Sequence, residues 1–180
     1  MEASFTLSFL AGVVATTAGL LVSWITSRAF ADKVLRELIV SKPDGRKETI
    51  SVRSSDDAVE IAKRITDALE FEQMIKDSLE RILKSGELHR GNNADFVITR
   101  GDKHVVLEAK LTPESLTHAA IEQYLADVHG AARLLLVTPK ETEGLLLPSV
   151  IERLRTGDVV HLTVSEGNVD TQLKQALAKI

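Results

Sequence analysis

At residues 95–110 the chain reads DFVITRGDKHVVLEAK. Two runs of β-prone residues, 96–99 and 104–109, lie on either side of Gly101-Asp102, a pair with the chemistry of a tight turn. This pattern predicts a β-hairpin. Since Val105, Val106 and Leu107 are consecutive apolar residues, that part of the second strand is expected to be buried on both faces.

The charged residues of the hairpin indicate a chemical role. Side chains alternate along a strand, so Glu108 and Lys110 should share one face, while Asp95 precedes the first strand across the turn. A Glu-x-Lys pair on an exposed strand is usually a solvated ion pair, but at the end of a buried strand it should line a cleft. An acidic pair beside a lysine can hold a divalent metal ion and activate water, as phosphodiester hydrolysis requires.

The segments around the hairpin predict an α/β domain. An amphipathic stretch opens at Phe71-Glu72, and Thr112-Pro113-Glu114 begins a helix that contains Ile121-Glu122-Gln123-Tyr124. The apolar residues 132–138 follow as a strand. Only residues 87–94 separate the first helix from Asp95, so any strand between them must be very short or missing.

The spacing of Asp95, twelve further residues and then Glu108-Ala109-Lys110 resembles the PD-(D/E)xK, or restriction-endonuclease-like, superfamily. The order helix, hairpin, helix and strand over residues 66–140 resembles its Mrr-like group. Ala94 stands where the family usually has proline, a change that many members tolerate. The resemblance implies an α/β fold with a mixed sheet flanked by helices.

The same resemblance implies a set of metal ligands. Asp95 and Glu108 would bind Mg²⁺ or Mn²⁺ through carboxylate oxygens, helped by the backbone carbonyl of Ala109. Lys110 would orient or deprotonate the attacking water and offset charge on the phosphate.

Two further residues are candidates by resemblance. Glu72 would hold a metal-bound water or a second metal ion, a role for which Glu80 competes. Gln123 would face the substrate or the lysine, with a polar surface residue as the alternative. Tyr124 is expected to be a core or rim aromatic residue.

The N-terminal region predicts a membrane anchor. No charged residue occurs between Glu2 and Arg28, and residues 5–25 are mostly apolar, about the length that crosses a bilayer. Trp24 lies where an interfacial anchor is expected, and the basic residues from Arg28 onward place the rest of a single-pass inner-membrane protein in the cytoplasm. A signal peptide cleaved near residues 29–31 and a buried soluble helix remain alternatives.

The elements suggest three parts: a transmembrane anchor at 1–31, a juxtamembrane hairpin and helix start at 32–65, and a restriction-endonuclease-like domain at 66–180. Apolar periodicity from residue 58 predicts one long helix, or two with a bend near Glu70. Beyond the core pattern we expect a helix at 148–154, a strand at 159–164 and a closing helix at 171–179.

Composition limits the chemistry. The 180 residues contain no cysteine, which excludes disulfides and thiolate metal sites, and no histidine spacing is typical of a zinc site. A net charge of −4 does not favour general attraction to a polyanion, although residues 81–110 carry six Lys or Arg against four Asp or Glu.

The sequence therefore favours a membrane-anchored, Mg²⁺- or Mn²⁺-dependent nuclease that hydrolyses DNA, with RNA left open, in the setting of bacterial defence. A homodimer and an effector partner protein are compatible with it. One alternative is a catalytically inactive nuclease-fold module that binds nucleic acid or a partner protein at the membrane. Another is a membrane scaffold with an unrelated α/β domain, in which Asp95, Glu108 and Lys110 would lie far apart.

Overall fold

The computed structural model describes residues 4–8, 37–41, 47–51, 58–91, 94–111, 116–126, 132–142, 144–155, 157 and 159–180. The chain divides into two compact units, residues 1–69 and residues 70–180.

The first unit contains a small sheet. Strands β1 (Ser4–Ser8), β2 (Glu37–Ser41) and β3 (Lys47–Ser51) form it in the order β1-β2-β3. β1 pairs parallel with β2, and β2 pairs antiparallel with β3, in the region for which the sequence predicts a juxtamembrane hairpin.

The predicted membrane segment at residues 5–25 falls largely outside the described residues. Its residues 5–8 belong to β1, and residues 9–25 are not described. Within the part of the chain that the structure describes, no helix combines the length and apolar character needed to cross a membrane.

Helix α1 (Ala58–Ile82) is continuous, so one long helix replaces the two that the sequence also allowed. Glu60 lies in its first turn and Arg81 in its last, each with the sign of charge that the helix dipole favours.

The second unit is built on a five-stranded mixed sheet of order β4-β5-β6-β7-β8. The strands are β4 (Leu88–Arg90), β5 (Phe96–Arg100), β6 (Lys103–Ala109), β7 (Ala132–Pro139) and β8 (Val159–Val164). β4, β5 and β6 pair antiparallel, whereas β6, β7 and β8 pair parallel. A three-residue 3-10 turn, Lys140–Thr142, follows β7, and the further helices are α2 (His118–Ala126), α3 (Pro148–Leu154) and α4 (Val169–Lys179).

This unit is therefore an α/β domain with a five-stranded mixed sheet flanked by helices, as the sequence predicts at that level. The strand expected to be very short or missing before Asp95 is β4, which has three residues.

The helix that follows the hairpin begins later than predicted. The sequence places its start at Thr112, but α2 begins at His118, and residues 112–115 lie outside the described residues. Thr117 caps this helix: its hydroxyl accepts from the Ala120 N–H (3.2 Å) and its carbonyl from the Ile121 N–H (3.2 Å). A threonine that satisfies the free amides of the first turn is the physical reason for the later start.

The sheet separates two apolar cores. Alternation along β6 sends Val105, Leu107 and Ala109 to the core shared with α1 and α4, and Val106 to the core shared with α2 and α3. Residues 134–138 of β7 are all buried, as expected of a central strand covered on both faces. The result is a three-layer domain in which the charged end of β6 faces the α2 layer.

A polar clamp joins α1 to α4 across the first core. The Arg81 guanidinium donates to both Asp170 oxygens (Nη2–Oδ1 2.8 Å and Nε–Oδ2 3.0 Å), and the buried Ser78 hydroxyl donates to Oδ1. The Arg81 hydrogen bonds first, and the Ser78 bond second, hold the pKa of Asp170 well below its usual value.

The clamp predicts a pH-dependent contribution to stability. The folded-state pKa of Asp170 lies below the unfolded value of about 3.9, so its contribution is present above that pH and is lost as the pH falls below it. We expect Asp170→Asn to lower the Tm at pH 7, and the difference from wild type to shrink as the pH falls below about 4. Thermal unfolding followed by circular dichroism from neutral to acidic pH measures this.

Asp102→Asn, in the exposed turn between β5 and β6, is the matched control and should follow the wild type. An Asp170→Asn protein with the wild-type Tm at neutral pH would show that the clamp does not stabilise the fold.

Candidate active site

The β5–β6 hairpin brings the two predicted acidic ligands together. The register pairs Phe96 with Leu107, so the next residues outward, Asp95 and Glu108, lie opposite each other. A two-residue turn fixes this register: Gly101 has φ +58°, which a type II′ turn requires at its first central position.

Two hydrogen bonds link Asp95 to the end of strand β6. The Asp95 backbone N–H donates to Glu108 Oε2 (2.9 Å), and the Ala109 N–H donates to Asp95 Oδ2 (2.8 Å). Backbone pairing of β5 ends at Phe96, so these side-chain bonds extend the ladder by one further pair. Both carboxylates are almost wholly buried, with 1% of Asp95 and 2% of Glu108 exposed.

Lys110 completes an ion pair in the cluster. Its Nζ lies 2.8 Å from Glu108 Oε1, and its backbone N–H donates to the Val137 carbonyl (2.9 Å). The second bond attaches the residue after β6 to the neighbouring strand β7, which fixes the point from which the lysine side chain extends. The ammonium thus offsets part of the negative charge of two buried carboxylates.

Tyr124 on α2 lies near the acidic pair. Its ring packs against the core shared by α2 and α3. Burial raises the pKa of Tyr124 above its usual value, and the negative charge of Glu108 raises it further. The phenol is therefore neutral at physiological pH.

Gln123 precedes Tyr124 on α2 and is exposed. That it faces the substrate or the lysine stays a prediction.

Glu72 comes from the α1 layer, on the face of the sheet where Phe96 is buried. Its Oε1 pairs with Arg90 Nη1 (3.0 Å), and the Arg90 guanidinium carbon lies 4.8 Å from the ring centroid of Phe96, the residue after Asp95. The competing residue Glu80 is exposed and pairs with Lys76. Of the two, Glu72 is the buried carboxylate that is linked to the hairpin.

Gly91 shapes the approach to Asp95 and was not identified from the sequence. A Cβ at this position would lie 2.5 Å from the Ala94 carbonyl oxygen, closer than real Cβ atoms come. Any other residue would displace the backbone immediately before Asp95. No sequence pattern marks this contact, because it depends on how the chain folds back on itself.

The donor set fits a hard divalent cation. Carboxylate oxygens are the ligands that Mg²⁺ prefers, and each carboxylate is also hydrogen-bonded, as metal-binding carboxylates commonly are. The N–H and C=O of a strand residue point to the same neighbouring strand, so the Ala109 carbonyl lies on the Asp95 side. Among the described residues, no three His, Cys, Asp or Glu side chains form a metal site. A cation here would therefore have two carboxylates, the Ala109 carbonyl and water molecules as ligands.

The contacts between Asp95, Glu108 and Lys110 place the three residues in one cluster, whereas the alternative of an unrelated scaffold required them to lie far apart. Comparison of the chain with protein-family models, with curated proteins and with solved structures gave no match.

The reciprocal bonds predict that Asp95 contributes to stability as an acceptor. Asp95→Ala leaves the buried Ala109 N–H without its acceptor, whereas Asp95→Asn retains a side-chain oxygen. Both variants remove the negative charge of Asp95 and so relieve its repulsion from Glu108 equally. The difference between their free energies of unfolding therefore reports the lost hydrogen bond. We expect the alanine variant to be less stable than the asparagine variant by about 1–3 kcal/mol, measured by urea unfolding.

Gln123→Ala, an exposed change on α2, serves as the control and should be close to wild type. Equal free energies of unfolding for the two Asp95 variants would mean that the Asp95–Ala109 bond is not a structural constraint.

Proposed function

We propose that this chain is a membrane-anchored, metal-dependent nuclease of the restriction-endonuclease-like fold that hydrolyses DNA phosphodiester bonds. One observation supports it most: two buried carboxylates, Asp95 and Glu108, lie side by side at the end of a hairpin, with the Lys110 ammonium 2.8 Å from Glu108. Acidic side chains are rarely buried in this way without a cation or a chemical task.

The order of elements agrees with this proposal. A helix, an antiparallel hairpin that ends in the acidic pair, a helix and a parallel strand follow one another, as α1, β5, β6, α2 and β7. Strand β7 pairs parallel with β6 as far as Ala109. The cluster therefore lies at the C-terminal end of β6, beside a paired strand.

Each residue of the cluster has a role in hydrolysis. A bound Mg²⁺ or Mn²⁺ would polarise the phosphate and lower the pKa of the attacking water. Asp95 and Glu108 supply the oxygens that hold it. Because Lys110 is an ammonium in its ion pair, it is placed to donate to a phosphate oxygen or to orient the water. Water adds to phosphorus, and the ester oxygen leaves with a proton.

The remaining parts of the proposal concern location and partners. Residues 5–25 would hold the protein in the inner membrane with residues 66–180 in the cytoplasm, and defence against foreign DNA is a setting that suits this arrangement. A homodimer would supply the two active sites that cleavage of both strands requires. RNA as substrate and an effector partner protein belong to the same proposal.

A second candidate is a catalytically inactive module of the same fold that binds nucleic acid or a partner protein at the membrane. The observation that favours it is saturation of the acidic pair: the described bonds already engage both Glu108 oxygens and one Asp95 oxygen. The acidic net charge of −4 also favours a partner other than free DNA.

The nuclease proposal predicts loss of cleavage when single residues of the cluster are substituted. Plasmid DNA is incubated with the full chain in detergent and Mg²⁺, Mn²⁺ or EDTA. Cleavage should require the metal ion and fall about 100-fold or more in Asp95→Asn, Glu108→Gln and Lys110→Met, since each removes a ligand or the donor at the reacting group.

Two carboxylate variants serve as controls. Asp102→Asn, in the exposed turn of the same hairpin, should cleave as wild type does, and Glu72→Gln should retain more activity than Glu108→Gln, because Glu72 is carried by α1 and pairs with Arg90. Cleavage that survives Asp95→Asn would refute the proposed site, and a wild-type protein that binds DNA without cutting it would favour the inactive module.

A further inference from the structure

We propose that an exposed apolar patch at helix α3 binds a second copy of this chain and so forms a homodimer. The patch consists of Leu145, Leu147 and Ile151, and Glu152 and Arg155 border it. This inference rests on the proposed function in one respect: cleavage of both strands needs two active sites, and the second copy supplies the second.

The patch concentrates the exposed apolar surface of the described residues. Among them, four large apolar side chains are exposed, and three lie within residues 145–151: Leu145 (51% exposed), Leu147 (38%) and Ile151 (40%). Single exposed leucines are common on protein surfaces, whereas a group of neighbouring ones marks a site of association.

The backbone holds these side chains outward. Leu146 is buried in the core shared by α2 and α3, whereas its neighbours Leu145 and Leu147 are exposed. The Leu145 N–H donates to the Thr142 carbonyl (3.1 Å), and the Ile151 N–H donates to the Leu147 carbonyl (3.0 Å). The patch therefore lies on hydrogen-bonded backbone, and covering it costs little additional conformational entropy.

The charges around the patch favour a second copy as its occupant. Arg153 pairs with Glu122 of α2 (2.7 Å), so the charged residues on the exposed side of α3 are Glu152 and Arg155. Residues three apart share a helix face, so one acid and one base border the patch. Nucleic acid or an anionic lipid surface would instead favour an excess of Lys and Arg.

A face that carries one charge of each sign complements itself. Two-fold symmetry brings the same patch of both copies together. Where the two α3 helices run in opposite directions, Glu152 faces Arg155 of the partner subunit, and the same pair forms a second time across the axis. Neither side chain is in an ion pair with another described residue of its own chain, so both charges are available to these contacts.

The size of the patch sets the expected strength of the dimer. Three apolar side chains and a seven-residue helix correspond to a small interface, below about 1,200 Å² in total. Interfaces of this class associate reversibly, so we expect a Kd of roughly 1–100 μM rather than a permanent dimer.

The test uses energy transfer between two labelled populations of the full chain in detergent. The chain has no cysteine, so Asp102→Cys, in the exposed turn between β5 and β6, carries a single donor or acceptor dye. Transfer is measured against protein concentration in four backgrounds: the wild-type patch, Glu152→Arg, Arg155→Glu and the double reversal.

We expect transfer with the wild-type patch to rise with concentration. Each single reversal should weaken the dimer about 10-fold or more, because it places like charges opposite each other, and the double reversal should restore the dimer. Glu166→Arg, the same change of charge in the exposed turn before α4, is the control and should dimerise as wild type does. All these positions are exposed, so the Tm should stay close to that of wild type.

Two results would overturn the inference directly. One is the absence of transfer with the wild-type patch up to about 100 μM, and the other is transfer that neither single reversal changes. The rival occupant, lipid, is tested with an environment-sensitive dye on Ser149→Cys in phosphatidylcholine vesicles. A blue shift that persists at high dilution of the protein would assign the patch to lipid and would also overturn the inference.

The outcomes separate the inference from the proposed function. Energy transfer requires no cleavage, so a dimer that does not cut DNA would refute the nuclease and leave the interface in place. A wild-type protein that cuts DNA as a monomer would overturn the interface alone. Where both proposals hold, the single reversals should nick plasmid DNA more than they linearise it, because they act as monomers with one active site.

Discussion

Two hydrogen bonds between the ends of β5 and β6 are the constraint on which the rest of the site depends. The Asp95 amide holds the Glu108 carboxylate, and the Asp95 carboxylate holds the Ala109 amide, so each acidic residue is fixed by the backbone of the opposite strand. Without these bonds the hairpin would end one residue earlier, and two carboxylates would have no reason to remain buried next to each other. The Lys110 ammonium, on the residue after β6, adds an ion pair with Glu108 to this arrangement.

Burial of the two carboxylates costs free energy, and it also holds them in a fixed arrangement. Two negative groups removed from water repel each other and lose solvation, and the structure compensates with two backbone amides and an ammonium. Such a satisfied network is rigid, which is what a site needs when a cation must find its ligands already oriented. A cluster whose polar groups are all hydrogen-bonded could also serve only to join the two strands. Whether a divalent ion binds there distinguishes a cation site from such a structural junction.

Much of the fold of residues 70–180 follows from the sequence, because its signals are local. The Gly101-Asp102 turn and the apolar runs around it predict the β5–β6 hairpin, and alternation places Glu108 and Lys110 on one face. The helix Pro148–Leu154 and the strand Val159–Val164 were predicted at the bounds observed, since proline and the apolar periods mark them clearly. Features that depend on tertiary contact were not predicted. These are the close approach of Gly91 to Ala94 and the clamp between Arg81 and Asp170. The late start of α2 was missed because the capping role of Thr117 was not recognised.

The central claim is that Asp95 and Glu108 form one cation site, and the most direct test is a crystal structure of the protein soaked in Mn²⁺, with an anomalous difference map. We predict a peak between the two side chains, about 2.0–2.2 Å from one oxygen of each and near the Ala109 carbonyl, as expected for a small hard cation. A map without a peak there, in which Asp95 and Glu108 keep the hydrogen bonds described above, would contradict the account and leave the cluster as a structural junction between β5 and β6.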